Sequence, residues 1–224
     1  MLSKYLEISQ IIGVGDASVK RKRGSHSFIL ESTDEEYNIQ GSAPVDGDPD
    51  DIDSNRAELC SVLAMMTFSD SIAKFFQISN STIKIYCDNK YAVNHRDLKR
   101  ATFTTLTKRD IDIKMQIQAI IKSSSIVFHL TRVPGHADDA QGFDYDKAPQ
   151  TIRRNIDMDE SAKTFLDSPP LDFTPNTTPL FFPAQKVPLK MGTFANKYDC
   201  IAMDTRWNIA YNKCSISTNH VSKS

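Results

Sequence analysis

The sequence predicts an α/β domain in which helices pack on a mixed sheet. Three observations lead there: the order of periodic segments, two apolar strands that each end in an aspartate, and a long helix-period segment between them. Hydrophobic residues make up 40% of the 224-residue chain, enough to build a buried core. ISQIIGVGDA at residues 8–17 is a short apolar strand, and HSFILES after Gly24 is its hairpin partner. Lys20, Arg21, Lys22 and Arg23 lie in their connection. EEYNIQGSA adds a third strand, and the Pro/Gly/Asp-rich PVDGDPDDIDS then breaks regularity. Ser54 is the expected N-cap of a helix over RAELCSVLAMMTFSDSIAKFF. STIKIYCD forms a fourth strand, NKYAVNHRDL and TKRDIDIKMQIQAIIKSS two helical stretches, SIVFHLTRV a fifth strand, and APQTIRRNIDMDESAKTFL a last helix.

Beyond Leu166 the composition changes. Pro169, Pro170, Pro175, Pro179, Pro183 and Pro188 favour an extended chain, so the domain is expected over residues 1–167. A Pro-rich linker and short C-terminal extension are expected over 168–224. No internal repeat is visible. Cys60, Cys87, Cys200 and Cys214 form no C-x-x-C pair, which argues against a disulfide framework or a zinc site and for a reducing compartment. The N-terminus lacks the apolar run of a signal peptide, and no window approaches the ~20 apolar residues of a membrane span. An intracellular protein, cytoplasmic or nuclear, without membrane contact is the expectation. A formal net charge of -1 gives no global sign of polyanion binding, so any such binding must be local.

Context selects four carboxylates from the 28 acidic residues. Asp16 closes IIGVGD and Asp88 closes IKIYCD, which places both at ends of buried strands. At roughly 100° per residue, Val62, Met65, Ile72 and Phe76 fall within about 40° of Glu58, which puts Glu58 at the start of the sheet-facing stripe. In the last helix, Ile152, Ile156, Ala162 and Leu166 lie within roughly 60° of Asp159, while Asp157 is about 160° away. Asp159 is therefore expected to face the sheet and Asp157 the solvent. Carboxylates gathered at one sheet end remain anions only if cations join them, and a hard divalent metal is the natural partner.

GDAS around Asp16, SNRAEL around Glu58, YCDNKYAV around Asp88, RVPGH ending at His136 and NIDMDESA around Asp159 together resemble the ribonuclease H family, in its retroelement, reverse-transcriptase-associated form. The resemblance spans residues 8–167. It implies a ribonuclease H-like fold: a five-stranded mixed sheet, three strands antiparallel and then two parallel, with helices on both faces. It implies a metal-dependent endonuclease that cuts the RNA strand of RNA·DNA hybrids with two Mg²⁺ ions, Mn²⁺ being an alternative. Asp16 would bridge both ions, Asp159 would help hold the one that activates water, and Glu58 with Asp88 the one beside the leaving oxygen. His136 would assist proton transfer or product release. Ser54, Asn55 and Asn89 would contact the hybrid, and Lys20 and Arg21 its phosphates; Tyr91 would stack near the substrate or pack in the core.

Two departures stand out: Ala17 replaces a common glycine, and 22 residues separate His136 from Asp159. The acidic run at residues 46–53 is no EF-hand, lacking Gly at the sixth and Glu at the twelfth position. A proofreading-type exonuclease would need Asp-x-Glu on the first strand, and a transposase-type enzyme Glu in place of Asp159. The remaining alternative is a degenerate retroelement domain that binds nucleic acid or a partner without cleavage. Oligomeric state is open.

Overall fold

The computed structural model describes residues 2–47, 49–94 and 110–168. The elements run α1 (Leu2–Glu7), β1 (Ile11–Lys20), β2 (Arg23–Ser32), β3 (Asn38–Pro44), α2 (Ser54–Phe75), β4 (Thr82–Cys87), α3 (Lys90–Asn94), α4 (Ile111–Ser123), β5 (Val127–Arg132) and α5 (Gln150–Asp167), with two 3₁₀ turns at Ala137–Asp139 and Tyr145–Lys147. The sheet order is β3-β2-β1-β4-β5. β1–β2 and β2–β3 pair antiparallel; β1–β4 and β4–β5 pair parallel. This is the ribonuclease H-like sheet that the motifs led one to expect. No helix among the described residues is long and apolar enough to cross a membrane.

Alternation along β1 sends side chains to two different layers. Ile12 and Val14 meet Ile29 and Met158 of α5 on one face. Gly13 and Gly15 face α2 on the other, where a Cβ on Gly13 would touch the Met65 sulfur at 3.0 Å. Gly15 is tighter still: its Cβ would overlap Ser61 Oγ and come within 2.8 Å of Met65 Cε. The Ser61 hydroxyl is itself committed, donating to the Ser27 carbonyl at 2.9 Å. Helix α2 can thus lie close on β1 only because these positions lack side chains. Gly15→Ala is expected to cost about 2 kcal/mol by overpacking, read as a lower urea midpoint; an unchanged midpoint would mean the layer spacing is not set here.

Several local expectations need correction. The N-cap of α2 is Asp53, in extended backbone, whose side chain accepts from the Arg56 amide at 2.9 Å; Ser54 is already the first helical residue. The stripe predicted to continue through Ile72 and Phe76 stops short, since Phe76 is 55% exposed. A 22-residue helix is about 33 Å long and the six-residue β4 about 20 Å, so the last turn overhangs the sheet. β3 begins at Asn38, after a turn that holds Glu35 at φ 62°. The hairpin connection is only Arg21 and Lys22, both at positive φ as a tight two-residue turn requires, with Lys20 and Arg23 in the strands. Helix α1 has no counterpart in the sequence reading. The expected linker and extension lie outside the described residues except Ser168, as do parts of the two helical stretches between β4 and β5.

Candidate active site

The β1–β4 ladder joins residues 12–14 to 84–86 and stops there. Beyond it β1 continues through Asp16, and Asp88 directly follows β4, at the carboxyl end of a parallel pair where the central strand has neighbours of opposite direction, a place where α/β sheets open a cleft. That cleft, of about 710 Å³, is lined by Asp16, Glu58, Asp88 and Asp159. Ala17, Ser54, Asn55, Asn89, Lys90, Tyr91 and His136 complete the lining. Four elements thus bring the four predicted carboxylates to one concave surface.

Asp16 is 7% exposed and held from two sides. Its Oδ1 accepts from the Ala17 amide at 2.6 Å and its Oδ2 from Asn155 Nδ2 at 3.0 Å. Burial, with the Asp88 charge adding to it, pushes Asp16 up to about 7, although the Glu58 carboxyl and the Ala17 amide hydrogen-bond to it and oppose the rise. Glu58, from the first turns of α2, is pushed well above the carboxylate range by burial and then by Asp16 and Asp88. Asp88 is raised by burial and by Asp159, against the opposing pull of His136 and Arg132. The Cys87 thiol donates to Glu58 Oε2 at 3.4 Å. The donor atoms of Glu58, Cys87 and Asp88 all lie within 4.8 Å of one another. The four carboxylates, rich in buried oxygen acceptors, fit hard divalent metal ions.

The phase of α5 is shifted from that expected. Its buried face is Asn155, Met158, Ala162 and Leu166, while Ile152 and Ile156 are only half-buried. Asp159 stands beside that face, with 22% of its side chain exposed, and pairs with Lys163 at 2.6 Å. Asp157 points elsewhere, bonding Arg154 at 3.0 Å and accepting from Tyr145 Oη at 2.7 Å. Asn155 was missed in the sequence; four residues before Asp159, it shares that side of the helix and reaches Asp16.

The rim follows from the loops. Asn89 caps α3, its Oδ1 accepting from the Tyr91 and Ala92 amides at 2.7 and 3.1 Å, and its Nδ2 donates to Asn55 Oδ1 at 3.1 Å. Ser54 is exposed at the start of α2. His136 is exposed and takes a left-handed conformation, φ 50°. Gly135 before it packs on Asp88, whose carboxylate occupies the space a Cβ would need. Tyr91 is half-buried and lines the cleft, while its hydroxyl donates to Asp110 Oδ2 at 3.3 Å and accepts from Lys114 Nζ. Lys20 and Arg21 are not on the lining; Lys20 pairs with Asp167 at 2.8 Å, and Arg21 is exposed at the hairpin tip.

No protein-family model matches the sequence, and no curated protein matches it significantly. Among solved structures, the fold is similar to RNase H1 from the halophilic archaeon Halobacterium salinarum NRC-1 at 15% identity and a TM-score of 0.41, covering 56% of this chain and 86% of that one. It is similar to the N-terminal RNase H domain of Rv2228c from Mycobacterium tuberculosis at 12% identity and a TM-score of 0.42, covering 69% and 97%. It is also similar to a foamy viral protease-reverse transcriptase solved with dsDNA, at 15% identity and a TM-score of 0.49, covering 73% and 98%. The sheet order and strand directions, rather than these overlaps, identify the chain as an α/β domain of ribonuclease H-like fold.

Proposed function

We propose that this chain is a metal-dependent endonuclease that hydrolyses the RNA strand of RNA·DNA hybrids. The observation that carries the reading is the meeting of Asp16, Glu58, Asp88 and Asp159 at one cleft, from four separate elements. A phosphodiester cannot approach so many carboxylates unless cations intervene. Asp16, Glu58, Asp88 and Asp159 would hold two Mg²⁺ ions, with Mn²⁺ as a substitute. When bound, the ions neutralise charge on the scissile phosphate and lower the pKa of the attacking water.

The protein's part is positioning. Asn155 and the Ala17 amide fix both oxygens of Asp16, and the Cys87 thiol orients Glu58. Exposed His136, at the rim beside Asp88, is available to take up or release a proton as product leaves. Ser54, Asn55 and Asn89 offer hydroxyl and amide groups on one side of the cleft, suited to 2′-hydroxyls that mark the RNA strand. Lys20 and Arg21, away from the lining, would meet phosphates farther along a duplex.

The test is cleavage of an end-labelled RNA·DNA hybrid with Mg²⁺, beside RNA·RNA and DNA·DNA duplexes. Hybrid-selective cutting that EDTA abolishes is expected. Hybrid binding with no cutting under any divalent ion would replace this reading with that of a non-cleaving binding domain. Within the same assay, Asp159→Asn should slow cutting by two or more orders of magnitude. Asp157→Asn should stay within about twofold, since its partly exposed ion pair contributes at most about 1 kcal/mol to stability. Equal losses in the two variants would refute the assignment of Asp159.

A further inference from the structure

We propose that Cys87 makes the Glu58–Asp88 corner of the cleft a site for a thiophilic divalent cation of the Zn²⁺ or Cd²⁺ class, whose binding excludes the hard ions. Cys87 is the last residue of β4, 1% exposed, with its sulfur between two carboxylates. The Sγ–Oε2 separation to Glu58 is 3.4 Å. With Zn–S near 2.3 Å and Zn–O near 2.0 Å, one edge of a tetrahedron is about 3.5 Å, so these two atoms already stand at the spacing of two ligands to one ion. An Asp88 carboxylate oxygen, within 4.8 Å of both, supplies a third. Glu58 and Asp88 also line the cleft, from which a cation would enter.

Burial and then the Glu58 charge push the Cys87 thiol well above its ordinary pKa, with the Asn89 amide, which donates to Sγ at 3.4 Å, opposing them, so an incoming cation has to displace the thiol proton. Mg²⁺ takes oxygen ligands and leaves the thiol as a donor to Glu58. Softer cations prefer the sulfur. On their binding the S–H bond breaks, an S–metal bond forms, and the proton leaves to solvent; no oxidant or reductant takes part. The same Glu58 and Asp88 oxygens are then withdrawn from a hard ion. This inhibitory consequence rests on the nuclease reading, whereas the binding does not.

Two measurements separate the claims. Titrating the full chain with Cd²⁺ alone should raise a thiolate-to-metal absorption band in the ultraviolet. Cys87→Ser should lose that band while keeping the wild-type circular dichroism and melting, and Glu58→Gln, which keeps the thiol, should shift the titration at least tenfold to higher Cd²⁺. A band of undiminished size in folded Cys87→Ser, or none in wild type, overturns the site. Should Cys87→Ser not fold, an unshifted Glu58→Gln titration overturns it equally. In hybrid cleavage with millimolar Mg²⁺, micromolar Zn²⁺ should slow the wild type at least tenfold and Cys87→Ser less than twofold, each relative to its own zinc-free rate. Equal inhibition of both overturns the competition. A Cys87-dependent band in a chain that cuts no hybrid leaves the cation site standing and refutes the nuclease.

Discussion

Asp16→Asn is expected to make the metal-free chain more stable while reducing hybrid cleavage by three or more orders of magnitude. The two effects share one cause. Asp16 is buried among Glu58, Asp88 and Asp159, and its pKa rises from 3.8 in the unfolded chain to about 7. A group raised on folding contributes stability that is complete below its unfolded pKa and is lost as pH rises through its folded one. The penalty for the wild type therefore grows between about pH 4 and pH 7 and is constant above that. Three units correspond to about 4 kcal/mol, the upper limit for relief by an uncharged side chain. Asparagine has nearly the same shape and can still accept from the Ala17 amide, but its NH2 cannot accept from Asn155, a lost bond that takes back part of that gain. A melting temperature higher by roughly 5 to 10 °C at pH 8 in EDTA is expected, shrinking to little at pH 4. Mg²⁺ should stabilise the wild type and leave the variant almost unchanged. An apo variant less stable than wild type at pH 8 would show that Asp16 serves the fold and not a cation.

Much of this site was legible because its acids interrupt apolar patterns. An aspartate after IIGVG or IKIYC has no solvent reason to be there, and strand period alone puts it at a sheet end. Glu58 followed from helical phase over the first half of α2, where the helix lies on β1; the phase failed at Phe76, where no sheet remains beneath it. Asp159 lies on the sheet side of α5, but the centre of that side is not where the isoleucines put it. Ile152 and Ile156 looked like the inward stripe, but Met158 holds the centre, because the surface of the sheet beneath α5 is built from Ile12, Val14 and Ile29. Asn155 was invisible for the same reason: amides read as solvent-facing unless the buried acid they serve is known to lie opposite. Glu31 is a parallel case. It looks like the polar end of FILES, yet it is 1% exposed and bound by Arg154 through two nitrogens, at 2.7 and 2.9 Å. Ion pairs between distant segments leave no periodic trace in sequence, so neither half announces the other.

A second such pairing surrounds Arg56, and its removal should unfold the chain more readily than any loss in the cleft. Arg56 is 4% exposed in the first turn of α2. It donates from Nε to the Asp46 carbonyl at 2.7 Å and grips Asp112 through two nitrogens at 3.1 and 2.8 Å, with Asp110 at 3.4 Å. Burial works against its charge, but Asp112 and Asp110 outweigh burial and hold the guanidinium charged. Asp46 shows the converse: burial pushes it up to about 6 even with Arg56 beside it. Arg56→Met would leave those acids buried without their counter-ion, a loss of about 3 to 5 kcal/mol. Arg56→Lys should recover less than half, because an ammonium cannot serve Asp112 bidentately and the Asp46 carbonyl together. Arg56→Met with Asp112→Asn should be more stable than Arg56→Met alone, since the uncompensated charge is then removed. Urea denaturation checks all three, and a loss below 1 kcal/mol for Arg56→Met would show that the acids relax into solvent. The consequence reaches the cleft, because Asp110 also accepts from Tyr91 on its wall and Glu58 lies two residues after Arg56. Under conditions where Arg56→Met is still folded, its hybrid cleavage should therefore fall as well, with a weaker dependence on Asp16 protonation than on Mg²⁺ concentration, as expected when carboxylates are displaced rather than neutralised.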